Sequence, residues 1–306
     1  MATYSIVARD SISGELGVAV QSHWYSVGPI VPWAEAGIGA VATQSLVDPA
    51  YGPLGLDMMR MGKSAPEALN GLLASDPHPE VRQVAMIDAS GRVAAHTGNA
   101  AIQAAGHLTG AQFSVQANLM ERETVWQAMA VAYRTAEGDL ADRLIAALEA
   151  AEAEGGDIRG KQSAAILVVS GKSSGRPWVD RLFDLRVEDH PEPVKELKRL
   201  VRLQRAYLKM NEGDERMSRG DLEEALLSYQ EALAIVPDSA TNGEVAFWVG
   251  AALASVGRER EAIPYLRRAY HEDDRWAETL RRLSPAGILP QDPALIERLV
   301  EGMMNE

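Results

Sequence analysis

Two strand-length runs meet at a glycine turn at the start of the chain. The first is Thr3-Tyr4-Ser5-Ile6-Val7-Ala8-Arg9-Asp10, the second runs from Leu16 to Trp24, and Ser13-Gly14-Glu15 lies between them. This is a hairpin signal. Termini usually fray unless tied down, so a strand that begins at Thr3 demands that later elements cover it. It also sets a hydroxyl beside the terminus. A free terminal amine, with a pKa near ~8, can act as base for a hydroxyl on the same residue.

The rest of the first part alternates in blocks. A strand is predicted at 38–46, then two short helices at 54–61 and 65–74. Ser64 caps the second of these, with Glu67 three residues on as its capping-box partner. Strands follow at 83–87, 93–97 and 113–119. Two longer helices are predicted at 125–136 and 140–154, the second stopped by Gly155-Gly156. Strands at 163–169 and 182–187 close the block. Strands, helix pair, strands, helix pair, strands fits neither a βαβ alternation nor a meander. It fits an α+β sandwich of four layers, α-β-β-α.

At Pro191-Glu192-Pro193 the pattern turns wholly helical. The expected domains are therefore 1–190 and 191–306. The second part repeats: Gly213, Gly220, Ala225 and Ala232 recur as Gly250, Gly257, Ala262 and Ala269, 37 residues later, and Leu266 stands where Tyr229 did. Small residues at fixed spacing let paired helices approach, with a larger one filling the gap. The pattern resembles the tetratricopeptide repeat, with Pro237 closing the first unit. The usual period is ~34, so extra residues are expected in the loop at 238–242.

The formal charge is −13, and both parts are acidic. A nucleic-acid surface needs concentrated Lys and Arg, so none is expected. The one basic stretch, Lys195 to Lys209, reads as the solvated face of a helix. No apolar run reaches the ~20 residues of a membrane span. Met1-Ala2-Thr3-Tyr4-Ser5 carries no basic n-region or apolar h-region, so the expected location is the cytoplasm. Cysteine is absent, which removes disulfides, thiolate metal sites and a cysteine nucleophile. The histidines have no metal-ligand spacing, and no phosphate loop is present. No metal and no cofactor are expected.

Candidate site residues cluster at strand ends. His23 ends the hairpin that carries Thr3. Gln44 and Ser45 lie at the end of an apolar strand, where sheets expose function or simply exit to a loop. Asn118 precedes the third helix, where an amide serves an oxyanion or a turn. Gly155-Gly156-Asp157-Ile158-Arg159-Gly160-Lys161-Gln162 is dense in glycine and polar groups and leads into a buried strand. It reads equally as a tight structural loop and as a site loop. Trp24, Tyr25 and Trp33 line a pocket or edge a core.

These runs are similar to a known family. Tyr4 to Asp10, Gly17 to Trp24, Gly39 to Ser45, Tyr51 to Leu56, Gly155 to Ala165 and Asp184 to His190 resemble the family numbered 1028 among domains of unknown function, over about residues 3–200. That family is classed with the N-terminal-nucleophile (Ntn) hydrolase fold. The resemblance implies the same four-layer sandwich and a chemistry in which Met removal exposes a terminal threonine. Thr3 is the matching residue, and both Met1 and Ala2 would have to go. There is no lysine before Lys63, so proton transfer falls to the terminal amine or to His23.

The implied function is hydrolysis of an amide or related C–N bond in a small molecule. Thr3 is the candidate nucleophile, its amine or His23 the base, and Asn118 with backbone N–H groups the oxyanion site. Gln44, Ser45, Asp157, Arg159 and Gln162 shape the substrate floor. The alternative is a non-catalytic ligand-binding or scaffold protein whose repeats recruit a peptide or protein. Val245, Phe247, Trp248, Val249, Ile263, Leu266 and Tyr270 carry more apolar surface than one stacked neighbour covers. The tail helix at 293–303 covers one side, and a homodimer is expected on the other.

Overall fold

The computed structural model describes residues 3–305. Met1 and Ala2, on which release of a Thr3 amine depends, lie outside the described residues. The chain divides into two compact units, Met1–Val201 and Arg202–Glu306.

The first unit is mixed α and β. Its order is β1 (Thr3–Arg9), β2 (Leu16–Ser22), β3 (Pro32–Glu35), β4 (Gly39–Ser45), α1 (Tyr51–Arg60), α2 (Ala65–Ser75), β5 (Arg82–Asp88), β6 (Val93–Thr97), β7 (Gly106–Gly110) and β8 (Phe113–Asn118). Then come α3 (Val125–Thr135), α4 (Leu140–Ala153), β9 (Ser163–Val169), the short α5 (Pro177–Asp180) and β10 (Arg181–Val187). The strands form two sheets, β10-β9-β2-β1-β8-β7 and β3-β4-β5-β6. Both are antiparallel throughout.

Strand alternation decides what each face covers. Tyr4, Ile6 and Ala8 pack with Met129, Leu144 and Leu148 of α3 and α4. Their neighbour Val7 joins Val18, Val20, Ala40, Ala42, Ala85 and Ile87, so the two sheets face each other. Val41, Val84 and Met86 on the far side of the smaller sheet pack with Leu56, Met59 and Leu69 of α1 and α2. With both faces of each sheet covered, β1 is buried from Thr3 to Ala8.

Ser64 makes the capping box at α2. Its amide donates to Glu67 at 2.7 Å, and the Glu67 amide donates to its hydroxyl at 3.3 Å. At the other end of α2, Asp76 gathers the Arg82 guanidinium at 2.7 Å and the Tyr51 hydroxyl at 2.9 Å. The Arg82 hydrogen bond holds the Asp76 carboxyl down at about 2. A depressed carboxylate contributes stability above its unfolded pKa, near ~4, and loses it as pH falls through the folded value. Asp76→Asn should therefore cost roughly 1–2 kcal/mol at pH 7 and little near pH 2, as read by denaturant titration at the two pH values.

The chain continues into α6 (Pro193–Arg219), and the second unit is all helix: α7 (Leu222–Ile235), α8 (Glu244–Ser255), α9 (Glu259–Glu272), α10 (Arg275–Leu283) and α11 (Pro293–Met304). The repeat has a direct physical cause. A Cβ on Gly213 would lie 2.3 Å from the Tyr229 ring, and one on Gly250 would lie 2.6 Å from Leu266. Each glycine is the gap its large partner fills. The lengthened loop holds a 3-10 turn, Asp238–Thr241. Val245, Phe247, Val249 and Leu266 are buried in one core with Leu280 of α10 and Leu295, Ile296, Leu299, Val300 and Met303 of α11. Much of the apolar surface that argued for a second copy is thus covered inside this unit. No helix among the described residues is long and apolar enough to cross a membrane.

Candidate functional site

The space between the two sheets changes character along the strands. At one end it is aliphatic, with Val7, Val18, Ala40, Ile87 and Leu167. At the other end the same faces carry Thr3, Ser5, Ser22, Gln44, Gln83, Gln116 and Asn118, all buried. Burying an amide without partners costs about 1–3 kcal/mol, so this end is stable only as a connected network.

The register builds that network. Thr3 stands opposite Ser22 on one side and Asn118 on the other. Its hydroxyl donates to the Ser22 hydroxyl at 3.1 Å. Its carbonyl accepts from Gln44 Nε2 at 3.2 Å and from Asn118 Nδ2 at 3.5 Å. Gln44 and Asn118 also donate to Gln83 Oε1, at 2.7 and 2.9 Å. Ser5 donates to Gln44 Oε1 and accepts from Gln116 Nε2, both at 2.6 Å. Gln83 Nε2 donates onward to the Ala117 carbonyl at 2.8 Å and the Thr97 hydroxyl at 3.0 Å. One acceptor in this group stays open: Oδ1 of Asn118 is buried and has no hydrogen-bond partner among the described residues.

Two of the site amides are followed by strained backbone. Ser45 after Gln44 and Leu119 after Asn118 both have positive φ, 72° and 55°. For residues with a Cβ this costs roughly 1–2 kcal/mol each. Both turn the chain away immediately beyond the polar end, so the site lies where strands stop.

A second group forms around Asp157. Its carboxylate accepts from the His23 amide at 2.8 Å and from Arg159, whose Nε and Nη2 lie at 3.1 and 3.0 Å. Asp157 bridges to Met120, and the Glu121 amide donates to the Gly156 carbonyl at 2.9 Å. The glycine loop is thereby pinned beside the exit of β8 and the end of β2. Behind it, burial and the nearby Glu152 push the Tyr4 hydroxyl well above its ordinary pKa. Burial also raises the Glu152 carboxyl, against the pull of Lys161 at 3.1 Å.

The candidate residues thus fall into groups. Thr3, Gln44 and Asn118 meet directly. His23 and Arg159 each meet Asp157, and Ser22, next to His23 in the chain, joins them to the first group. The His23 ring lies 3.4 Å from the Lys161 carbonyl, and among the described residues no hydrogen bond joins it to Thr3. Ser45 is buried at the end of β4. Gln162 meets the His190 amide through its backbone carbonyl at 2.8 Å. Sequence reasoning missed Ser5, Ser22, Gln83, Thr97 and Gln116. Trp24 and Tyr25 are substantially exposed, while Trp33 is tied by its indole to the Ile30 carbonyl at 3.1 Å. Among the described residues no group of three or more His, Cys, Asp and Glu could hold a metal ion.

Comparison with known proteins gives a family without a reaction. Residues 3–197 match a family of unknown function, DUF1028. Residues 213–241 match a tetratricopeptide repeat. A solved structure of similar fold is the crystal structure of protein SPO2555 from Silicibacter pomeroyi, itself assigned to DUF1028. It is 30% identical with a TM-score of 0.59, over 65% of this chain and 88% of that one. No curated protein matches.

Proposed function

Because the chain belongs to the DUF1028 family, whose reaction is unknown, its chemistry must be read from its own site, and we propose that it is an Ntn-type hydrolase of an amide or related C–N bond in a small molecule. In this reading residues 1–190 are an Ntn-like sandwich domain and residues 191–306 a separate recruiting domain. The observation that carries it is the placement of Thr3. A hydroxyl on the first strand sits at the polar end of the intersheet space and donates to Ser22 on one neighbouring strand, while Asn118 on the other donates to the Thr3 carbonyl.

The roles follow from which groups are engaged. Once Met1 and Ala2 are removed, the Thr3 amine takes the Oγ proton as Oγ attacks the substrate carbonyl. The proton passes to the nitrogen as the C–N bond breaks. Water, deprotonated by the same amine, then releases the acyl group from Thr3. The amine is preferred to His23 as base because the His23 ring is turned to Lys161. The two amide protons of Asn118 are directed at Gln83 and the Thr3 carbonyl. The oxyanion is therefore left to backbone N–H groups. Asn118 acts through its open Oδ1, which accepts from the Thr3 ammonium or the substrate N–H. Gln44 and Asp157 with Arg159 hold the walls, and Ser45 and Gln162 flank them. A screen of amides, lactams and short peptides against the full chain tests this. Turnover of at least one class is expected, and none across all three would contradict it.

The repeat match favours a second role beside the first: the helical unit recruits a peptide or protein partner, as repeats of this kind do. We also propose pairing with a second copy. Leu208 and Leu227 are still exposed on helices of this unit, at 40% and 58%. Light scattering at micromolar concentration should give twice the chain mass, and a monomer would refute pairing.

A further inference from the structure

We propose that a polar pocket at the β6 and β7 edges is a binding site for a neutral carboxamide or ureide. The cavity is about 570 Å³ and is lined by Thr97, Asn99, Gln103, His107 and Glu123, with small residues of the 98–106 loop between them. Its volume falls within the ~300–1,000 Å³ of small-molecule sites.

The wall is built rather than loose. The Gly98 amide donates to the Arg82 carbonyl at 2.8 Å and the Ala100 amide to Glu80 at 2.8 Å. Farther on, the Leu119 and Met120 amides each donate, at 3.2 Å, to the carbonyls of Ile102 and Ala104. Gly98 is required: a Cβ there would lie 2.2 Å from the Glu80 carbonyl oxygen.

The network described above sets the polarity of the pocket. Thr97 accepts from Gln83 at 3.0 Å, and its proton is assigned to the contact with His107 Nδ1 at 2.8 Å. A ring that accepts at Nδ1 carries its proton on Nε2 and donates from there. Burial, with His96 nearby, favours this neutral ring. The pocket therefore offers a donor at His107, both kinds of group at Asn99 and Gln103, and an acceptor at Glu123. No Lys or Arg lines it. With a carboxylate in the wall and a formal charge of −13 on the whole chain, a phosphate or carboxylate ligand is disfavoured. A carbonyl flanked by N–H groups meets every partner. The same amide chain runs from His107 through Thr97, Gln83 and Asn118 to Thr3, so the pocket lies on one polar seam with the proposed nucleophile. Binding here stands apart from the hydrolase reading, which it shares only in ligand class.

The test is calorimetric titration of the full chain with hydantoin, a cyclic ureide, and separately with inorganic phosphate. Hydantoin should bind and phosphate should not. His107→Phe should weaken hydantoin roughly tenfold, the worth of one hydrogen bond, and His107→Gln should restore part of it. Circular dichroism of each variant confirms that it is folded. Binding with no turnover anywhere would remove the hydrolase and keep the pocket. No hydantoin binding, equal binding by folded His107→Phe, or tight phosphate binding would overturn the proposal.

Discussion

Thr3→Ala should lower turnover of any amide substrate by at least about a thousandfold and leave the fold in place. The size follows from the role, since a nucleophile removed leaves only binding and oxyanion effects. The fold survives because little else changes. The Thr3 backbone keeps its pairing with Ser22 and Asn118, and its carbonyl keeps Gln44. What goes is one methyl group and one hydroxyl hydrogen bond at 3.1 Å, which costs roughly 1–2 kcal/mol. Thr3→Ser restores the hydroxyl and should recover much of the rate. Equal turnover in the folded alanine variant would take Thr3 out of the mechanism.

Gln83→Leu should be the most damaging single change to stability. Gln83 is fully buried and is the hub of the intersheet network. Its Oε1 holds Gln44 and Asn118, and its Nε2 holds Thr97 and the carbonyls of Ala117 and Gly106. Leucine has nearly the same size but leaves these groups buried and unpaired, at about 1–3 kcal/mol for each that finds no new partner. A loss of roughly 3–5 kcal/mol should lower the thermal midpoint of this unit by about 10 °C or more. A variant melting within about 2 °C of the parent would show that the network relaxes around the loss.

The frame of the first unit was legible because its apolar runs are long and their glycine breaks are sharp. β9 follows its apolar run from Ser163 to Val169. β3 and β7 were not foreseen, and both are sheet edges. Pro32-Trp33-Ala34-Glu35 opens with a residue that cannot donate, and Gly106 to Gly110 has glycine at both ends, so both read as loops. The site was legible only at its strand ends. Ser114, Gln116 and Asn118 recur at every second position of β8, a stripe that normally marks a solvent face. Here that face meets the other sheet, so the stripe is buried. Gln83 stands alone in an apolar run, and its partners Gln44, Thr97 and Asn118 are far off in sequence. Only the register brings them together. In the helical unit the tail helix α11 was foreseen as covering one side, whereas α10, which adds Ala277, Leu280 and Leu283 to the same core, was not.

If Thr3 acts with its own amine, the intact mass of the native protein in the fraction that turns over substrate should be that of a chain beginning at Thr3, with Met1 and Ala2 both gone. Fully active protein whose mass still includes Ala2, or Met1 and Ala2, would contradict it.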